Sequence, residues 1–274
     1  MLASLFLALQ AASGTNAVEA PKQLQLSSVE PVRKQDDKSP ATDGRSCTDN
    51  KSWCITLDKN SEPESDGPTI TVEKSGQYAK APSLRSEFLA FGSINLWDSP
   101  VEYRTASGMP GLVFGAVSYH SQGYSGGGAG SSSMLLYVAE IQSGGKLKVD
   151  LLDDPIPYEQ SALIRACFSE EDMKLRRNVC HDEYDQDVSI KPTGVMRNGL
   201  PELLYISNAT VSPGFARRDQ DNSDEKLLKT LTAKDFETRI DDRCTYTRKM
   251  YVHEDRDRYV LDFMDCSDFG ADVQ

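Results

Sequence analysis

The chain contains no run of about 20 apolar residues, the length that a helical bilayer crossing needs, so no transmembrane segment is expected. Positive charge is scarce as well. The formal net charge is -12, and nucleic acid is excluded as a partner because its phosphates are held by clustered Lys and Arg. There is no C-x-x-C, and histidine occurs only at 120, 181 and 253, which leaves no ligand set at zinc spacing. Long stretches with helical periodicity are also missing, and that argues against a helical layer.

The first 17 residues carry no charged side chain and end in small residues, so residues 1–17 read as a signal peptide cleaved after Ala17. Residues 18–46 hold Pro21, Pro31 and Pro40 among polar residues, with five basic against five acidic side chains, the composition of a disordered linker. The whole net charge therefore falls on residues 47–274, the expected folded domain. Its six cysteines form an even set, Cys47, Cys54, Cys167, Cys180, Cys244 and Cys266. In an exported chain these read as disulfides, paired nearest neighbour to nearest neighbour. Export implies the periplasm or the secreted space.

Strand patterns recur along this domain. WCITL at 53, EFLAFGSINLW at 87, GLVFGAVSY at 111 and SMLLYVAEI at 133 alternate or run apolar in strand fashion. After Ile141, the turn QSGG and the alternation in KLKVDLL predict a hairpin with Leu147, Val149 and Leu151 on one face. A second hairpin is predicted from CTYTRKMYV through HEDRD to RYVLDF, with Tyr259, Leu261 and Phe263 on one face. Short helices are predicted from Ser169, where SEEDMKLRR has a Ser cap and charges matched to the helix dipole, and from Thr232. The expected fold class is mainly β, built of antiparallel hairpins with a few short helices. Propeller-like and sandwich-like arrangements both remain open.

Residues 108–123, GMPGLVFGAVSYHSQG, echo residues 199–214, GLPELLYISNATVSPG, which divides the domain into candidate halves 47–165 and 166–274. RNGLPELLYISNAT and GMPGLVFGAV resemble degenerate repeats of the FG-GAP or VCBS type, a family that builds β-propeller blades. The Asp-rich calcium loop of that family is absent before Gly108 and Asn198, so the resemblance carries over no calcium ligands. The closing CSDF and the overall layout are similar to exported proteobacterial proteins.

Two constellations are candidates for chemistry. Gly123 to Gly127 spell G-x-S-x-G, the pattern of a nucleophile elbow, with His120 five residues before Ser125. The helix that should follow such an elbow is replaced by GGAGSSS and a strand pattern, which a flexible loop between two strands also explains. The same loop lacks the Lys and the helix of a phosphate cradle. Acidic runs place Asp182, Asp185 and Asp187 together, and Asp219, Asp221 and Asp224 together, as candidate calcium ligands. From Asp219, however, the sixth and twelfth places hold Asp224 and Thr230 where an EF-hand needs Gly and Glu. A solvated acidic surface is the competing account, and no cofactor is called for beyond this question of calcium. The expected function is an exported, non-catalytic β-repeat binding module for an extracytoplasmic protein or carbohydrate. A secreted hydrolase using Ser125 and His120 or an acidic carboxylate pair, and a calcium-stabilised adhesion module, are the alternatives.

Overall fold

Alternation of apolar and polar side chains in the N-terminal third builds six short strands: β1 (Lys22–Gln23), β2 (Leu26–Ser28), β3 (Asp43–Thr48), β4 (Trp53–Asp58), β5 (Thr69–Lys74) and β6 (Gln77–Lys80). The computed structural model describes residues 19–28, 43–58, 68–82, 93–218, 220–255, 258–261 and 266. The expected signal peptide lies outside the described residues. The linker reading of 18–46 needs correction where it is described, because β1, β2 and the start of β3 are paired strands. Polar composition does not prevent this, since an edge strand needs only backbone partners. Residues 29–42 lie outside the described residues.

Longer strands follow. They are β7 (Ser93–Leu96), β8 (Val101–Arg104), β9 (Pro110–Tyr124), β10 (Gly127–Ile141), β11 (Leu147–Arg165), β12 (His181–Arg197) and β13 (Leu200–Ser212), and then β14 (Arg239–Ile240), β15 (Tyr246–Val252) and β16 (Tyr259–Val260). Two short α-helices, α1 (Glu170–Leu175) and α2 (Glu225–Leu228), and a 3-10 turn at Ala233–Phe236 connect them. Ser169 caps α1 with a reciprocal box: its Oγ accepts from Asp172 N at 3.1 Å while Asp172 Oδ2 accepts from Ser169 N at 2.9 Å. The helix expected from Thr232 is the 3-10 turn, capped by that residue.

All strand pairs are antiparallel. An eleven-stranded sheet runs β1-β8-β9-β10-β11-β12-β13-β15-β16, with β7 on β9 and β14 on β13, and a five-stranded sheet runs β2-β3-β4-β5-β6. The run from Met134 to Ala139 in β10 is buried at every position because both faces are covered. On one face Leu135, Tyr137 and Ala139 meet the small sheet's Trp53, Ile55, Leu57, Ile70 and Val72. Phe114 stacks on Tyr137 there with ring centroids 5.1 Å apart. Burying each of these large side chains contributes roughly 1.5–3 kcal/mol.

On the other face Met134, Leu136 and Val138 join Val188, Ile190, Leu203, Tyr205, Met250 and Val252, so the large sheet folds back over its own face. Register shifts at Ser132/Ser133, Met134/Leu136 and Pro192/Met196 interrupt the long ladders and permit the bend. Gln23 Nε2 donates to the Ile190 carbonyl at 3.4 Å, bringing β1 near β12 without closing a barrel. The arrangement is sandwich-like. The hairpin predicted around QSGG pairs Ile141 with Leu147, and the second predicted hairpin pairs Val252 with Tyr259. Its Phe263 lies outside the described residues. Gly108 (φ 76°) and Gly199 (φ 83°) supply the left-handed residues in the turns before β9 and β13, a local basis for the sequence echo.

Three disulfides join Cys47 to Cys54, Cys167 to Cys180 and Cys244 to Cys266. The first staples register partners of β3 and β4, the second closes the loop that carries α1, and the third secures residue 266 beside Ala209 and Val211.

Candidate functional site

The G-x-S-x-G stretch is a hairpin. Tyr124 pairs with Gly127, so Ser125 and Gly126 form a two-residue turn, and Gly127 to Ser133 continue as β10 where a flexible loop was expected. Glycine is required at 127 by the close approach of β11: at φ 151° a Cβ there would sit 1.8 Å from the Leu163 carbonyl oxygen. His120 pairs with Ser131, four rungs from the tip, or roughly 13 Å along the strand. The structure therefore places Ser125 on an exposed turn and His120 on an exposed strand position, with no helix to follow. No elbow is assembled.

The acidic candidates do not gather at one point, although Asp185 and Asp187 line one groove together with His120. Along β12 alternate residues face opposite ways, so buried Asp182 looks inward while Asp185 and Asp187 look out to solvent. Asp221 accepts from Ser223 N and Oγ, and Asp224 accepts from Lys226 N to cap α2, which makes both turn-forming groups. Asp219 lies outside the described residues. Among the described residues no three His, Cys, Asp or Glu side chains converge on a metal-sized point.

On the outward face a groove of about 240 Å³ holds Tyr119, Glu159, Asp185 and Asp187. Glu159 is the register partner of Asp187, an acidic pair that sequence reading missed because 28 residues separate the two. Burial raises the Glu159 carboxyl, and the charge of Asp187 raises it further. Asp185 is raised by burial and then by Glu183 and Asp187. The Tyr158 phenol is pushed up to about 12, first by burial and then by Asp98 and its other acidic neighbours.

A second concavity is a pocket of about 410 Å³ between the end of β11, α1 and the loop after β13. Its floor is a buried polar network. Arg176, wholly buried, donates to the Val179 carbonyl at 3.0 Å, to the Asn222 carbonyl at 2.7 Å and to Asp182 Oδ1. Asn222 Nδ2 lies 3.0 Å from Asp182 Oδ2 and 3.2 Å from the Tyr184 hydroxyl, while Asn222 Oδ1 accepts from Arg217 N at 3.0 Å. That single side chain pins the loop after β13 to the sheet. Burial raises the Asp182 carboxyl, outweighing the opposing pull of Arg176 and Asn222, and pushes Tyr184 up to about 12.

The walls carry Arg165, Arg217 and Arg218, with Arg218 Cζ 5.2 Å from the Tyr184 ring and Arg165 Cζ 5.2 Å from the ring of Phe168. Counting the described lining, four arginines face two aspartates, a formal +2 in a chain of -12. Sequence reading did not find this pocket, because its arginines lie on three separate segments that are distant in the chain. No protein family, curated protein or solved structure matches the chain. Among the described residues no helix is long and apolar enough to cross a membrane.

Proposed function

We propose that the chain is an exported, non-catalytic β-sandwich binding module of the periplasm or the secreted space. The observation that carries this reading is the pairing of all six cysteines in three disulfides, a state that persists in oxidising compartments and is rare where thiol reductants are abundant. The arginine-lined pocket supports a binding role, since its size falls in the ordinary range for small-ligand sites and its floor is fixed before any ligand arrives. Fractionation of producing cells with peptide mapping of the non-reduced protein tests the reading. The expected product begins near Val18, leaves the cytosol and carries the three local disulfides. Recovery in the cytosol with six alkylatable thiols refutes it.

One observation favours a second reading, that of a secreted hydrolase. Glu159 and Asp187 stand side by side in a groove, and a raised carboxyl beside a second carboxylate is the pairing that glycoside hydrolysis uses. Turnover of aryl glycosides that disappears in Glu159→Gln would establish it, and wild-type protein without turnover on a broad panel removes it.

A further inference from the structure

We propose that the arginine-lined pocket binds a small organic oxyanion, a carboxylate or phosphate carried on a flat ring, with the anion held by Arg165, Arg217 and Arg218 and the ring laid on Phe168. The inference rests on the binding-module reading and names the ligand class for its site.

Charge is the first support. The chain as a whole repels anions, yet this concavity gathers cations on the walls of a recess bounded by protein, where a field is focused and water screens it less. Arginine is the side chain whose planar fork matches a carboxylate or phosphate in two parallel hydrogen bonds. Arg176 is not one of these binders, because its donors already serve Val179, Asn222 and Asp182. Its part is to hold the floor on which the wall arginines stand.

Phe168 is the second support. It is 71% exposed, an unusual position for a large aromatic, and it lines the pocket rather than a core. Its backbone is nonetheless fixed from three sides. The neighbouring Cys167 is bonded to Cys180, Phe168 N donates to Asp172 Oδ2 at 2.9 Å, and the Cys167 carbonyl accepts from Arg165 Nε at 2.9 Å. An exposed ring on a backbone fixed in this way offers a stacking platform whose backbone ordering cost is already met by the fold.

Calorimetric titration of the oxidised full chain at low ionic strength tests the assignment, using benzoate and phenyl phosphate against benzyl alcohol, acetate and inorganic phosphate. Saturable binding of the two aryl anions is expected, roughly tenfold or more tighter than acetate or inorganic phosphate, a difference of about 1.4 kcal/mol. Benzyl alcohol should give no heat. Phe168→Ala should erase the preference for aryl over simple anions, and Arg165→Gln should weaken every anion by roughly tenfold. Arg218→Gln should do the same, and because Arg218 packs on Tyr184, its melting temperature is checked alongside.

The assignment is overturned if no probe binds at millimolar concentration, or if benzyl alcohol binds as well as benzoate. Equal affinity for inorganic phosphate and phenyl phosphate overturns it too, as does binding untouched by Phe168→Ala and Arg165→Gln. Each of these results would leave an oxidised, exported protein intact, whereas reduced thiols in the cytosol would undo the parent reading without any titration.

Discussion

Arg176→Met removes the cation from a pair sealed under the pocket, where the Arg176 side chain is 0% exposed and that of Asp182 5%. The substitution keeps most of the volume but strands the Val179 and Asn222 carbonyls and the Asp182 carboxylate. Removing one member of a buried ion pair costs about 3–5 kcal/mol, chiefly because the other is left charged in a poor solvent. For a body of this size each kcal/mol lowers the melting temperature by roughly 2–4 °C, so a drop on the order of 6–20 °C is expected near neutral pH. The loss should depend on pH with a definite sign. In the native chain the Asp182 carboxyl already lies above its ordinary value of 3.8, so the folded state binds the proton more tightly than the unfolded one. Stability is then lost as pH rises from 3.8 through the folded value. Taking away Arg176 removes a charge that pulls the carboxyl down, which moves the folded value higher and extends the lossy window upward. The variant should therefore lose more stability at about pH 7.5 than at about pH 4.5. Arg176→Met with Asp182→Asn, having no carboxylate to strand, should recover the pH-dependent part. Urea unfolding with disulfides intact reads both quantities. Equal losses at the two pH values, or a loss below about 1 kcal/mol, refute the reasoning.

Three further outcomes are expected. Replacing Cys244 and Cys266 together by Ala opens a closure of 22 residues and should cost about 3 kcal/mol, against about 2 kcal/mol for Cys47 with Cys54 and its separation of 7, both read from denaturant midpoints. Gly127→Ala drives a methyl into the Leu163 carbonyl and should cost about 3 kcal/mol, whereas Gly123→Ala, with nothing within 4 Å, should stay within about 0.5 kcal/mol by thermal melting. Glu159→Gln relieves repulsion with its cross-strand partner Asp187 and should stabilise by up to about 1 kcal/mol near neutral pH. Because the Glu159 carboxyl is raised, that gain should shrink as pH falls through its folded value and the native side chain takes up its proton.

What could be read from the sequence was what neighbours along the chain decide. The QSGG hairpin, the Ser169 cap and the three disulfides all join residues close in sequence, the widest spanning 22 positions, and turn chemistry or spacing announced each one. The uninterrupted apolar run of β10 announced a strand, and its burial on both faces follows from the same run once two partners exist for it. Residues 22–28 were misread as tether for the opposite reason. Their side chains carry little strand signal, and the ladder that orders them is supplied by Glu102, Val101 and Thr48, all far along the chain.

The same division governs the sites. G-x-S-x-G is a local pattern, and locally it meant what a glycine-flanked pair between apolar strands usually means, a tight hairpin turn. The arginine pocket had no local pattern to offer. Arg165 ends one strand, Arg176 closes a helix, and Arg217 and Arg218 ride a loop, so only the pairing of β11 with β12 and the anchoring of the loop by Asn222 bring them together. In the folded chain, whose net charge is -12, four arginines stand around one aspartate-floored recess. Concentrating like charge in one place costs free energy that a scattered arrangement avoids. A fold that sustains it through a buried ion pair, a disulfide and a pinned loop has its cations positioned for something that carries the opposite charge.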